Sequence, residues 1–352
     1  MANPNAAFGT ISELSRDTDR GTAVVLADGR TVRFDPADRR AAAFTSILED
    51  LRSRKMPVYI ETDPGSGFIE RVHLPKLVRI DRITEEPGGD VSVMFEQSHA
   101  RHVVKRDSAE AGELLRALRE ARKEQWLAVT VSDAGEILDV RPFDPPFELP
   151  RLEPPPAIRW WQWYWWPWNW WCCVSMSRAQ QLFDLCAATT CNPLTVPVPC
   201  IPFLYPDDGC WGRAHEMCRL IIADGASPRK VWIDGSLHTP TRNNPYCFVN
   251  WGWHVAPTLC VRRWRWWWWF SSQTMVIDPS LFTTPVSEAT WKGVQGDPNA
   301  TLTPTSADVF SRWNGYQPDP GYVQTNIVLA NYRSQLQLRS LNIGPPPYAN
   351  CP

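Results

Sequence analysis

Seven prolines fall within the stretch from Pro142 to Pro156, and no other feature constrains the chain as strongly. Each proline fixes φ and removes a backbone donor, so neither a helix nor a sheet ladder can pass through it. The stretch stiffens towards polyproline geometry and reads as a linker over residues 144–159. The two sides of this linker differ in kind. All ten cysteines lie between Cys172 and Cys351, and the first 171 residues contain none. At 352 residues and 43% hydrophobic content the chain can build two or three ordinary cores. With 36 Lys and Arg against 38 Asp and Glu, the formal charge of −2 supplies no field that would draw it to nucleic acid.

The segment before the linker reads as an imperfect repeat with a period of about 70 residues. Ile11, Leu14, Val24 and Leu26 recur as Ile80, Ile83, Val93 and Phe95. The helical row Phe44, Leu48, Leu51 has a counterpart in Leu114, Leu118 and Ala121, each at a spacing that keeps one face. Alternating strand patterns follow both rows, at Val58 and Ile60 and at Val129 and Val131, before turns at Pro64-Gly65 and Ala134-Gly135. Residues 1–75 and 76–143 are therefore expected to be two small α+β modules, each of strands, one helix and a hairpin. Two unrelated α+β modules would share some of this pattern. His99 and His102 lie in a strand-like stretch that points their rings to opposite faces, which reads as a solvated pair. No metal site and no cofactor is expected.

Residues 160–352 carry the chemistry. Asp208-Gly209-Cys210 opens a segment in which Ala214, Met217 and Ile221 repeat at helical spacing until Gly225 and Pro228. A cysteine at a helix start meets free N–H groups and the positive dipole end, which favour the thiolate that a nucleophile needs. Asp208 opposes that shift unless its carboxylate is occupied in capping. Structural cysteines also occur at helix starts, so a base must be found. His215 lies about 140° round the helix from Cys210 at 3.6 residues per turn and reads as a buried, hydrogen-bonded helix residue. His254 lies in an alternating strand that sets Asn250, Gly252, His254 and Ala256 on one face and the aromatics on the other. Met275 to Pro279 is a second strand ending in Asp278, the natural group to orient an imidazole. An antiparallel pairing of these strands puts the run Trp264–Trp269 at the tip of a hairpin.

These residues resemble the bacterial protein-glutamine glutaminases. The resemblance rests on Tyr205-Pro206-Asp207-Asp208-Gly209-Cys210 followed by Arg213-Ala214-His215 and Met217, on Trp251 with His254-Val255-Ala256, and on Ile277-Asp278-Pro279-Ser280-Leu281-Phe282 with Pro285-Val286 and Trp291. It spans roughly Cys191 to Trp291, and more faintly Val32 to Val72, which is similar to the pro-region of such enzymes. It implies an α+β protein with a papain- and transglutaminase-like catalytic domain, preceded by a duplicated pro-region-like module. It further implies a Cys210–His254–Asp278 triad, an oxyanion donor in the backbone N–H of Cys210, and Trp211, Trp251 and Trp253 as neighbours of the substrate cleft. The activity implied is hydrolysis of the side-chain amide of protein-bound glutamine, with proteins bearing exposed Gln as partners and residues 1–143 as an intramolecular inhibitor. Arg151 and Arg159 are accessible candidates for an activating cut, as in any exposed linker. Acyl transfer to an amine would use the same triad, and a cysteine peptidase is a further alternative.

Of the 20 tryptophans, 13 sit in the runs Trp160–Trp171 and Trp264–Trp269. Neither period 2 nor period 3.6 gathers the first run into one buried face, so some rings must meet another surface. The two runs can cover each other. With Arg262, Arg263 and Arg265 alongside they can instead form an interfacial membrane or partner contact, the basis of a non-enzymatic alternative. The sequence from Met1 to Leu14 shows no secretory signal. The cysteine-rich half suits an oxidising compartment, so the expected address is secreted, with a cytoplasmic or exported-effector address as the alternative.

Overall fold

A computed structural model describes residues 4–17, 21–146, 173–193, 200–266, 269–313 and 315–352. They form two units: Met1–Glu148 with Ser334–Tyr348, and Leu149–Arg333 with Ala349–Pro352. The Trp160–Trp171 run, Arg151 and Arg159 lie outside the described residues.

In the first unit, β1 (Ala6–Asp17) is long enough to serve two partners. Its first part pairs with β4 (Pro57–Thr62) and its second with β2 (Gly21–Leu26), while β3 (Thr31–Arg33) and β5 (Ile69–His73) close the sheet in the order β3-β2-β1-β4-β5. Helix α1 (Ala41–Ser53) buries Phe44, Ile47, Leu48 and Leu51, the face that its three- and four-residue spacing predicts. The following segment repeats these pairings. The adjoining strands β6 (Lys76–Val78) and β7 (Ile80–Glu85) stand where β1 stood: β6 pairs with β10 (Leu127–Val131), and β7 with β8 (Val91–Phe95). Then β8 pairs with β9 (His102–Val104), α2 (Ala111–Glu120) follows, and β10 pairs with β11 (Ile137–Pro142). Each module has its own core, one around Val24, Phe44 and Leu48, the other around Val93, Leu118 and Val129.

His99 and His102 correct the solvated reading: they are 0% and 2% exposed. His102 starts β9, its Nε2 lies 3.4 Å from Ser98 Oγ, and its ring packs on Phe95 at 5.6 Å. A local polar partner of this kind lets an imidazole be buried at modest cost.

The second unit places α3 (Met176–Ala187) and α4 (Cys210–Ala223) against a sheet ordered β15-β14-β13-β12-β16. Its strands are β12 (Arg229–Pro240), β13 (Phe248–Trp266), β14 (Trp269–Val276), β15 (Val286–Ser287) and β16 (Thr301–Ser306), with α5 (Glu288–Val294) between the last two. The short pair β17 (Val309–Ser311) and β18 (Gln317–Pro318) precedes α6 (Val323–Ile343), whose first half belongs here and whose second half belongs to the first unit. Strand β13 pairs with β12 only as far as Thr258, then with β14 out to Trp266↔Trp269. Trp264, Trp266 and Trp269 therefore lie at the end of a two-stranded ribbon, and Trp267 and Trp268 lie outside the described residues. Disulfides Cys173–Cys260, Cys191–Cys200 and Cys247–Cys351 brace this unit, while Cys186, Cys210 and Cys218 are buried thiols. Among the described residues no helix is long and apolar enough to cross a membrane.

Phe44 is fully buried and stacks on Phe34 at 5.3 Å. Phe44→Ala should destabilise the first unit by about 3–5 kcal/mol, read as an early transition in urea followed by far-UV circular dichroism.

Candidate active site

The site starts from a glycine. Gly209, the residue before α4, has φ +81°, and a Cβ there would lie 2.3 Å from the Tyr332 ring. Backbone conformation and close approach both require glycine, and together they fix where α4 begins. Cys210 is the first residue of that helix and 1% exposed. Asp208 does not cap it: its Oδ1 accepts the N–H of Gly209 at 2.9 Å, and α4 has no side-chain cap.

Helix α4 packs on β13, which brings Cys210 to His254. The sulfur and one imidazole nitrogen lie within 4.8 Å. On the far side of the ring, His254 Nε2 lies 2.9 Å from Asp278 Oδ2, with both side chains almost completely buried. Asp278 also accepts the indole N–H of Trp291 at 2.9 Å and the backbone N–H of Ser280 at 3.2 Å. It stands just past β14, where Ile277 N–H donates to Pro257 O at 2.9 Å and fixes the strand end beside β13. With Nε2 committed to the carboxylate, Nδ1 is the nitrogen that can exchange a proton with the thiol.

The imidazole is sandwiched. Trp251 stacks on one side with centroids 4.4 Å apart, and Trp291 on the other at 5.5 Å. Strict alternation along β13 would have put Trp251 and His254 on opposite faces. A register shift between Asp234 and Leu237 of β12, opposite Trp253 and Trp251, breaks the pleat there. Trp251 is thus fully buried against His254, and its indole N–H donates to Asp207 O at 3.2 Å. Trp211, next to Cys210 in the chain, and Trp253 pack on each other at 5.8 Å, and Trp313 meets Trp211 edge-on at 5.5 Å.

Burial governs the charge state. It pushes the Cys210 thiol well above its ordinary 9.0, against the lowering influence of Arg213 and of the Val255 N–H. The helix start favours the thiolate, but desolvation of a fully enclosed sulfur outweighs it here. Burial likewise holds His254 below its ordinary 6.5, although Asp278 pulls it up. For Asp278 burial acts upwards, yet His254 and the Trp291 indole together carry it below 3.8. The resting arrangement is a neutral thiol, a neutral imidazole and a carboxylate.

Arg213 and Trp291 are in the motif but had no assigned part. Arg213 is 2% exposed and on the Cys210 face of α4, and its Nη1 donates to Tyr205 O at 3.0 Å and to Asp208 O at 2.5 Å. It ties down the loop that enters the helix and carries positive charge close to the sulfur. An arginine three residues after a cysteine in an apolar helix was a legible signal, whereas no periodicity links Trp291 to Asp278. His215 is, as expected, a buried and hydrogen-bonded helix residue: its Nδ1 lies 2.8 Å from the buried Lys230 Nζ.

Gly209→Ala should cost about 2–5 kcal/mol from left-handed strain and overpacking combined, measured as a fall in Tm. Burial and the Lys230 ammonium bring His215 down to about 4. The unfolded chain then binds a proton that the folded one does not, so this group removes stability as pH falls from 6.5 towards 4. His215→Gln should flatten the Tm profile over that interval.

Residues 179–295 match the family model described as Glutaminase. Among solved structures, a pro-protein-glutaminase crystal structure aligns with a TM-score of 0.50 and 22% identity, covering 78% of this chain and 97% of that one. A mutant of pro-protein-glutaminase aligns at 0.50 and 23%, covering 79% and 98%. Protein-glutaminase from Chryseobacterium proteolyticum aligns at 0.42 and 28%, covering 51% of this chain and 97% of that one. No curated protein sequence matches significantly. The matched segment holds Cys210, His254 and Asp278, and is similar to glutaminases over that stretch.

Proposed function

We propose that this protein hydrolyses the side-chain amide of glutamine within proteins, with Cys210 as nucleophile, His254 as proton carrier and Asp278 as its orienting acid. The observation that carries the reading is the buried relay from sulfur to imidazole to carboxylate, set within the segment that matches the glutaminase model. His254 takes the thiol proton as sulfur attacks the amide carbon. The amide oxygen becomes an oxyanion, for which the Cys210 N–H at the helix start is one donor. His254 returns the proton to the nitrogen, ammonia departs and a thioester remains. A water molecule, deprotonated by His254, attacks the thioester, and collapse gives glutamate and the free thiol.

The second unit, with its helix-start cysteine packed on a strand bearing the histidine, supports a papain- and transglutaminase-like reading. The repeated strand pairings of the first unit support a duplicated pro-region module, with residues 76–143 the second copy. Likeness to a pro-protein-glutaminase over most of the chain supports residues 1–143 as an inhibitor. A thiol that is 1% exposed and held protonated is unsuited to a protein substrate, which fits a latent form. Three disulfides fit a secreted protein. The tryptophan ribbon fits an interfacial contact.

Ammonia release from a glutamine-containing protein should be low in the uncut chain and high once the chain has been cut at Arg151 or Arg159 and the N-terminal fragment removed, with Cys210→Ser silent throughout and Asp278→Asn strongly reduced. Alkylation of Cys210 by iodoacetamide should be slow at neutral pH in the uncut chain and rise only in alkali. Ammonia release by Cys210→Ser equal to wild type would refute the assignment.

A further inference from the structure

The N-terminal unit takes part of its core from the far end of the chain. Leu338, in the second half of α6, is 2% exposed within the cluster formed by Phe44, Leu48 and Val72, and Leu341 packs against it. Polar contacts surround this plug. Gln335 Nε2 donates to Leu74 O at 2.6 Å, Arg54 Nη2 to Ser334 Oγ at 2.8 Å, and Arg40 Nη1 to Leu341 O at 3.1 Å. Arg339, 4% exposed, pairs with Asp133 of the second module at 2.6 Å. Strand β5 is an edge of its sheet, which leaves backbone groups open on one side. The Asn342 carboxamide closes that edge at Val72, accepting its N–H at 3.2 Å and donating to its O at 2.9 Å.

This segment stays joined to the catalytic unit whatever happens to the linker. Upstream, α6 continues unbroken from Val323 in the second unit, and downstream the Cys247–Cys351 disulfide ties the chain end to that unit again. A cut near Arg151 or Arg159 would break the covalent link and none of these contacts. We propose that Ser334–Asn342 is a docking surface that retains the N-terminal fragment after scission, so that cleavage alone does not release it. The inference rests on the latency reading above and adds a second requirement to activation: loss of the fragment from α6 by further proteolysis or by dissociation.

The test uses the full chain with a sequence-specific protease site introduced at Arg151, cut to completion and run by size exclusion under native conditions. Wild-type fragments should co-elute, and ammonia release should rise only in fractions from which the N-terminal fragment has been removed. Leu338→Asp should weaken retention at least about tenfold, so that cutting separates the fragments. If Leu338→Asp does not fold, as judged by the Tm of the uncut protein, the double variant Arg339→Ala, Asn342→Ala should show a smaller loss in the same direction. Wild-type fragments that separate on cutting, or folded variants that hold together as firmly as wild type, overturn the proposal. Elution is read without reference to activity: retained fragments with no ammonia release in any fraction, separated ones included, would reject the glutaminase reading and leave the docking surface standing.

Discussion

The bond between Asp278 and His254 is the constraint on which the site depends. It is a pair taken wholly out of water, and such a pair persists only when its remaining polar atoms are met and its geometry is held. Trp291 and the Ser280 N–H meet the carboxylate, and two indole faces hold the ring in plane. Breaking one partner of a buried pair costs about 3–5 kcal/mol, so the surrounding fold must be rigid enough to make that loss unavoidable. The five-stranded sheet supplies the rigidity: β13 carries the histidine, the end of its neighbour β14 leads directly to the aspartate, and α5 brings the indole.

The same burial that encloses these groups keeps two of them uncharged. In a dry pocket the thiol keeps its proton and the imidazole stays neutral, so the ion pair that would start catalysis is disfavoured. Opening the pocket to water lowers the cost of both charges at once, and the Arg213 cation is already in place to favour the anion.

Much of this was legible in residue order. The Asp-Gly-Cys run foretold the helix start, alternation marked the strand that carries His254, and antiparallel pairing put the hairpin tip beside Trp266. What escaped depends on contacts distant in sequence. Trp251 clamps the base because a bulge in β12 breaks the alternation in β13, and a strand's own sequence does not report its partner's irregularities. The buried state of His99 and His102 follows from tertiary cover that a three-residue strand cannot announce. The sign of the Cys210 shift likewise turned on enclosure, which the helix-dipole argument leaves out. The second half of α6 reads as ordinary helix, and nothing in its pattern reveals that Leu338 belongs to a core laid down more than two hundred and fifty residues earlier.

That last arrangement sets an order of events during synthesis. Leu74 and Gln335 are separated by 261 positions, so the first unit emerges from the ribosome long before the residues that plug its core and cover its sheet edge. Until the final helix is made, β5 remains an open strand beside an incomplete core, a state in which a nascent chain is prone to pair with its neighbours. Completion of the first unit and completion of the second are therefore timed by the same helix, and a chain lacking α6 would leave both unfinished.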